Sequence, residues 1–228
     1  RKDAWSTSSA TRPRMAQHAT VGQVKRALKK ATRTDRMHRL RSLQYDAAYV
    51  RAAADALQVP TFAHLRCGVW YVPPDLCSGT CYFRSHDGHY GSWDFSLSRI
   101  NLQVALAAGG GAGGAAVVDA TRSGKRFPDA LSKTVPVWCT VVNRAVAATR
   151  QREQGGCMQQ LPANWSKLWL PPWVPTTEAS QIEERLEGWV RRLLSPSMRP
   201  IVAKLCATLQ RPLRPYWIYA GDAVVVPD

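Results

Sequence analysis

The chain has 228 residues, of which 31 are Lys or Arg and 16 are Asp or Glu, so its formal net charge is +15. Its 45% apolar content and nine tryptophans are enough to fill a core, which excludes a wholly disordered chain. A positive excess of this size indicates an anionic partner. Nucleic acid is the first candidate, and an anionic membrane surface or an anionic small molecule is the alternative.

Signals for targeting and membrane insertion are missing from the sequence. No stretch reaches the roughly 18 consecutive apolar residues of a membrane-spanning helix, and the first residues lack the apolar centre of a signal peptide. The chain begins with Arg1 and has an apolar run at residues 224–226, just before its last residue. From both features we expect a piece of a longer protein.

The six cysteines fit reduced thiols in a cytosolic or nuclear protein better than disulfides. A chain with this apolar fraction does not need disulfides to fold. Cys77 and Cys81 are the closest pair, and they lack the second pair of ligands that structural zinc requires.

The N-terminal part is basic. Residues 1–18 are polar and rich in Ser, Thr and Arg, so we expect a mobile basic tail. Thr20 and Gln23 have the spacing of a capping box, which predicts one long helix from there to about Leu57. Residues 1–41 hold twelve Lys or Arg and two Asp, and this net +10 is two-thirds of the excess of the whole chain.

The first half of this predicted helix has two interpretations. A run of charges is usually a solvated face. Here nearly all the charges have one sign, and like charges one turn apart repel each other, so a phosphate backbone is the better partner. The candidate RNA-binding residues are Lys25, Arg26, Lys29, Lys30, Arg33 and Arg36.

The rest of the chain mixes strand and helix patterns. Strands are predicted at residues 69–72, 80–83 and 115–118, with a short final strand after the proline-rich residues 211–215. Residues 107–114 form a Gly/Ala-rich surface insertion. Helices are predicted at residues 131–148, where Pro136 marks a start or a kink, and from Thr176 and Ser195.

These patterns predict the α/β class, with α+β as the alternative. The expected architecture is a mixed central sheet with flanking helices, a long basic N-terminal helix and two C-terminal helices. Residues 19–228 are predicted to form one domain.

The loop after the predicted strand at residues 115–118 is the first candidate for chemistry. Asp119 stands at the strand end, where it suits sugar hydroxyls or a hydrated metal. The residues that follow offer backbone N–H groups, hydroxyls and cations, as a phosphate-binding loop does. A plain basic surface turn is the alternative, and the pattern is not a Walker loop. The candidate phosphate ligands are Thr121, Arg122, Ser123, Gly124, Lys125 and Arg126.

A second candidate site lies in residues 84–89. Asp87 and His89 form either a general base or a metal site, and a polar turn explains them equally well. Cys67 and Cys139 are weaker candidates for a nucleophile, because apolar surroundings keep a thiol inert.

Several segments together resemble the initiator tRNA phosphoribosyl transferase family. They occur in one order and cover roughly residues 40–220: LRCGVWYVPP (65–74), CYFRSHDGH (81–89), WDFS (93–96), RINL (99–102), VDATRSGKRFPDALSKTVPVWC (118–139) and RPLRP (211–215).

The resemblance implies a cytoplasmic enzyme that transfers ribosyl-phosphate from phosphoribosyl pyrophosphate to the 2′-hydroxyl of an adenosine in initiator methionine tRNA. That mark excludes the tRNA from elongation. Magnesium is the expected cofactor, and neither a membrane nor DNA is an expected partner. Family members carry a further C-terminal domain resembling a dual-specificity phosphatase, which is absent here, and residues 109–114 depart from the family as an insertion.

The resemblance also suggests roles for individual residues. Asp119 would contact the ribose hydroxyls or magnesium, and Asp87 or His89 would act as the base. Arg66 and Arg99 would bind further phosphates or RNA. The alternatives are a non-catalytic tRNA-binding module and a phosphatase-like hydrolase, although the loop lacks a phosphatase's nucleophilic cysteine.

Overall fold

The computed structural model describes residues 20–121, 125–155 and 162–219, without the side chains of residues 32–34. By its internal contacts the chain divides after Ser42 into two units. The expected mobile tail, residues 1–18, lies outside the described residues, so the boundary between tail and domain stays a prediction.

The first unit begins with helix α1, Val21–Thr34, which starts at the predicted capping box. The backbone N–H of Thr20 donates to Gln23 Oε1 at 2.8 Å, and the backbone N–H of Gln23 donates to Thr20 Oγ1 at 3.3 Å. The single long helix that we predicted is wrong, because a second helix begins after Asp35. The carboxylate of Asp35 accepts a hydrogen bond from the backbone N–H of Met37 at 2.8 Å and so caps that second helix.

The remaining helices in the described part of the chain are α2 (Arg36–Leu57), α3 (Leu102–Gly109), α4 (Val135–Glu153), α5 (Ala163–Ser166), α6 (Thr176–Leu193) and α7 (Arg199–Thr208). The predicted start of α6 is confirmed. α7 is preceded by a short 3-10 turn, Pro196–Met198, which occupies the predicted helix start. α3 extends to Gly109, so residues 107–109 are helical rather than part of a surface insertion. None of the described helices is long and apolar enough to cross a membrane.

The second unit contains a small parallel sheet, so the α/β class is confirmed. Strand β1 (Thr61–His64) lies between β2 (Cys77–Cys81) and β3 (Ala116–Val118), and both neighbours run parallel to it. We expected a mixed sheet, and the three described strands all run in one direction.

One predicted strand, residues 69–72, is wrong. A 3-10 turn, Gly68–Trp70, stands in its place. A Cβ atom on Gly68 would lie 2.0 Å from the carbonyl oxygen of Val118, so only glycine allows the chain to turn this close to the end of β3. The predicted strand at 80–83 is displaced, because β2 ends at Cys81.

Helix α4 is the centre of the second unit. It packs against α5, α6 and α7, and every residue from Pro136 to Ala148 is buried. A helix that is buried all round has apolar residues on every face, and α4 fits this pattern. Pro136 lies in its first turn, as the sequence predicted, after a wide turn at residues 130–134.

The two polar residues near the middle of α4 are both hydrogen-bonded. The Asn143 amide donates to the carbonyl oxygen of Leu213 at 2.8 Å and accepts from its backbone N–H at 2.7 Å. Arg144 binds Glu187 at 2.8 Å and also binds Glu183. Asn143 thereby fixes the segment 211–219, which is extended but forms no strand in its described residues. The apolar run at 224–226 lies outside them.

Candidate active site at the sheet edge

Parallel strands direct their carboxyl ends to one edge of a sheet, which is where ligands bind in α/β proteins. Here β1 ends at His64, β2 ends at Cys81, and Asp119 directly follows β3. The sheet therefore brings together side chains that lie up to 55 positions apart in the sequence.

Asp119 is the central residue of this edge, and its side chain is fully buried, with 0% exposure. Its Oδ2 accepts from Arg66 Nη2 at 2.9 Å and from Arg66 Nε at 3.3 Å. Arg66 also donates to the carbonyl oxygen of Ala120. The other carboxylate oxygen, Oδ1, is buried without a hydrogen-bond partner among the described residues. Buried polar atoms normally have a partner, so Oδ1 is the atom that a ligand's hydroxyl or cation would satisfy.

His64 fixes the geometry of this pair and stays neutral. Its Nδ1 accepts from the backbone N–H of Arg66 at 3.2 Å, while Nε2 lies 2.9 Å from both the backbone nitrogen and the carbonyl oxygen of Phe83. Nδ1 accepts only when it carries no proton, so the ring is neutral in this geometry. Burial lowers the pKa of His64, and the nearby Asp119 opposes that effect. Arg66 is therefore the group that balances the Asp119 charge.

Tyr82 connects this edge to a small pocket. Its ring centre lies 5.6 Å from the His64 ring, and the Arg99 guanidinium lies 5.4 Å from the same Tyr82 ring. Asp87 and Arg84 line the pocket too, with Arg84 Nη1 3.6 Å from Asp87 Oδ1. Burial raises the pKa of Asp87, with Arg84 opposing it, so this carboxyl group binds a proton more readily than an ordinary aspartate.

A second charged cluster surrounds Asp129. Its carboxylate lies 2.8 Å from Lys125 Nζ, 3.6 Å from His89 Nε2 and 3.7 Å from Lys133 Nζ. Lys133 also contacts the buried Glu178 at 3.0 Å. The carboxylate of Asp129 thus holds a cation of the candidate phosphate loop close to one of the two candidate bases.

The structure brings several predicted residues together. Arg66 pairs with Asp119, Lys125 lies near His89, and Arg99 lines the pocket of Asp87. Arg66 balances a buried carboxylate here, and we had expected it to bind phosphate or RNA.

The structure describes some of the other predicted residues. Arg126 lies over the Tyr219 ring, 5.0 Å from its centre. Thr121 is half-buried. Arg122, Ser123 and Gly124 lie outside the described residues, and so does the side chain of Arg33. The other candidate RNA-binding residues are exposed in α1 and at the start of α2: Lys25, Arg26, Lys29, Lys30 and Arg36.

Metal and thiol chemistry have little support from the described residues. No group of three or more His, Cys, Asp or Glu side chains suited to a metal ion occurs among them. Burial raises the pKa of the Cys139 thiol to about 12, which agrees with the inert thiol expected there.

Sequence reasoning missed His64, Asp129 and Glu178. A histidine at the end of a short apolar segment was the available signal for His64. Glu178 carried none, because its partners come from distant parts of the chain: Trp93 Nε1, for example, donates to Glu178 Oε1 at 2.9 Å from 85 positions away. Asp129 did carry a local signal, because Lys125 and Lys133 lie four positions before and after it, which is the spacing of an ion pair on a helix.

Comparison with known proteins gives two curated relatives. The tRNA A64-2′-O-ribosylphosphate transferase of Saccharomyces cerevisiae is 31% identical over 215 residues, which cover 91% of this chain and 39% of the relative. An uncharacterized protein of Schizosaccharomyces pombe is 39% identical over 184 residues, which cover 79% of this chain and 38% of the relative. The chain thus spans less than two-fifths of the length of each.

No solved structure matches this chain significantly. The family model described as the Rit1 N-terminal domain matches residues 28–227, which is most of the chain. That match agrees with the resemblance seen in the sequence motifs. The chain therefore belongs to the Rit1 N-terminal domain family.

Proposed function

We propose that this chain is part of a tRNA-modifying transferase, which moves ribosyl-phosphate from phosphoribosyl pyrophosphate to the 2′-hydroxyl of an adenosine in initiator methionine tRNA. The observation that carries the proposal is the buried Asp119 at the carboxyl edge of a parallel sheet, with Arg66 bound to its Oδ2 and with Oδ1 unbonded among the described residues. The activity named for the Saccharomyces cerevisiae relative supports this choice of reaction.

The reaction exchanges one bond at the anomeric carbon of the donor ribose. The bond to pyrophosphate breaks, the bond to the tRNA 2′-oxygen forms, and the hydroxyl proton passes to a base. Positive charge grows on the sugar while negative charge grows on the leaving pyrophosphate. Asp119 is placed to accept from ribose hydroxyls, and Lys125 and Arg126 are the described cations of the loop for the pyrophosphate. Thr121, Arg122, Ser123 and Gly124 complete the proposed cradle.

Of the two candidate bases, we favour His89. Its side chain is 52% exposed, so an incoming hydroxyl can reach it, and Asp129 orients the ring from 3.6 Å. A neutral imidazole also has a ring nitrogen that can accept the proton of a hydroxyl. Asp87 is the alternative, because burial raises its pKa.

Magnesium fits this site only through a shared set of ligands. Asp119 would offer Oδ1 alone, since Arg66 holds Oδ2, and the donor's pyrophosphate and water would supply the other oxygens. Magnesium commonly binds in this way, through one or two carboxylates and substrate phosphates. When bound, it would neutralise charge on the leaving pyrophosphate.

The basic helix α1 and the start of α2 form the proposed tRNA surface. Their exposed cations suit the phosphate backbone of A-form RNA, which proteins recognise largely by shape and by phosphate and 2′-hydroxyl contacts. Under this proposal the protein acts in the cytoplasm.

The test is transfer of label from phosphoribosyl pyrophosphate to purified tRNA. We expect label on initiator tRNA and none on elongator tRNA. Asp119→Asn should lower the rate at least about 100-fold, since it removes a charge at the reacting sugar. Asp75→Asn is the matched control, because Asp75 pairs with Arg51 at a similar 2.8 Å but is 61% exposed.

Two results would refute the proposal. Tight tRNA binding without any transfer would indicate a non-catalytic binding module. Phosphate release from the donor without tRNA labelling would indicate a hydrolase.

A further inference from the structure

A group of aromatic rings lies next to the candidate active site. Trp169 contacts Arg214, and Trp173 contacts Trp217, so residues 167–174 and 211–219 lie against each other. With one ring from the region after the phosphate loop they form what we call the aromatic band: Phe127, Trp169, Trp173, Tyr216, Trp217 and Tyr219.

The rings of the aromatic band are held in place by one another and by hydrogen bonds. Phe127 and Trp173 stack with centres 5.0 Å apart and planes 4° from parallel. Trp217 meets Trp173 edge-on at 5.9 Å, and its Nε1 donates to the carbonyl oxygen of Leu131 at 2.8 Å. A ligand would therefore meet a surface whose rings are already ordered.

Cations lie against these rings. Lys167 Nζ is 3.9 Å from the Trp169 ring centre, and the Arg214 guanidinium is 4.4 Å from the same centre and 4.9 Å from that of Tyr216. Arg126 lies over Tyr219 in the same way. Within the described part of the chain, Lys167 and Arg214 form no ion pair with a carboxylate. Their charge remains available to an anion.

Part of the band faces solvent. Trp173 and Tyr216 are each 45% exposed, and Tyr219 is 41% exposed. Exposed aromatic groups of this size usually mark a binding surface. Arg126 and Phe127 come directly after the candidate phosphate loop, so the band begins where that loop ends.

We propose that the aromatic band binds unpaired nucleotides of the RNA substrate. Bases would stack on the exposed rings while Lys167 and Arg214 hold the adjoining phosphates. Alternating rings and cations are the chemistry of surfaces that bind single-stranded nucleic acid. A duplex buries its base faces, so stacking of this kind selects unpaired bases. An apolar protein partner fits less well, since it would remove these cations from water without balancing them. This inference rests on the proposed function, which makes RNA the substrate.

The test measures the binding of a fluorescently labelled single-stranded octaribonucleotide and of the matching duplex, with no donor present. Trp173→Ala should weaken binding of the single strand roughly 5- to 100-fold, the range expected for loss of one stacked base. Trp173→Phe keeps a ring and should retain most of the affinity. Trp70→Ala is the matched control, because Trp70 is 70% exposed and has no cation or ring contact among the described residues, so we expect a change within about twofold.

The inference is overturned if Trp173→Ala binds the single strand as the wild type does, if Trp70→Ala loses as much affinity, or if Trp173→Ala weakens binding of the duplex as much as binding of the single strand. The transfer assay separates this failure from failure of the proposed reaction. If the wild type binds the single strand through Trp173 but transfers no label, the proposed reaction is refuted and the role of the aromatic band stands. If the wild type transfers label and Trp173→Ala binds the single strand as tightly as the wild type, the role of the band is refuted and the reaction stands.

Discussion

Arg66→Ala tests whether the buried charge of Asp119 depends on its arginine. Breaking a buried ion pair from one side costs about 3–5 kcal/mol, because a charge is left without compensation. Arg66 is itself 35% exposed, so water can take part of its place once the side chain is removed. We therefore expect the free energy of unfolding to fall by about 2–3 kcal/mol, the value of a charged hydrogen bond at a buried acceptor.

The control for this prediction is Arg51→Ala. Arg51 and Asp75 lie 2.8 Å apart, close to the 2.9 Å of Arg66 and Asp119, but their side chains are 46% and 61% exposed. Water screens an exposed pair, which therefore adds little to stability, so this variant should unfold almost as the wild type does. The contrast isolates burial, since residue type and distance are matched.

Urea unfolding followed by circular dichroism measures both variants, and a constant slope shows that the same surface unfolds. The double variant Arg66→Ala with Asp119→Asn should recover part of the lost stability, because it removes the stranded charge as well. The reasoning fails if Arg66→Ala costs no more than Arg51→Ala, or if the double variant is no more stable than Arg66→Ala alone.

Four further predictions follow from contacts and charges. Gly68→Ala should lower the free energy of unfolding by about 3 kcal/mol, because its Cβ would meet the Val118 carbonyl oxygen. The control is Gly188→Ala in α6, whose Cβ meets nothing, so its free energy of unfolding should rise by about 0.5–1 kcal/mol in the same urea assay. Burial lowers the pKa of His64 below its ordinary 6.5, so its stabilising effect is present above that value and is lost as pH falls; His64→Asn should reduce the drop in urea midpoint between about pH 7.5 and pH 5.5. Lys125→Ala should abolish transfer with tRNA affinity nearly unchanged, and a large affinity loss would assign the loop to RNA binding. The variant that combines Lys25→Glu, Lys29→Glu and Arg33→Glu reverses charge in the basic helix. It should flatten the salt dependence of tRNA binding by about one unit of slope per lost phosphate contact. An unchanged slope would exclude the helix from the interface.

Local signals in the sequence gave correct predictions. The capping box of Thr20 and Gln23 involves only neighbouring residues, and proline is favoured in the first turn of a helix, where Pro136 lies. The position of Asp119 at a strand end was predictable for the same reason. Asp35 carried a local signal too, because aspartate is a common N-cap, but the continuous basic pattern around it predicted an unbroken helix.

Contacts between distant segments account for what the sequence did not reveal. The pattern of residues 69–72 predicts a strand, and the contact of Gly68 with Val118, 50 positions later, overrides it. The partners of Asp119 were equally hidden. Arg66 was predicted as a phosphate ligand because its sequence neighbours give no indication that a carboxylate 53 positions away would neutralise it.

Asn143 is buried, yet it positions a segment that carries exposed aromatic rings. Its side-chain amide donates to the carbonyl oxygen of Leu213 and accepts from the backbone N–H of Leu213, as the backbone of a neighbouring strand would. These two hydrogen bonds attach the segment that carries Tyr216 and Trp217 to α4, in which every residue from Pro136 to Ala148 is buried. A substitution hidden from every ligand, such as Asn143→Leu, would loosen that attachment and let the outer rings drift, so under the proposal above this buried change would weaken the binding of unpaired RNA bases.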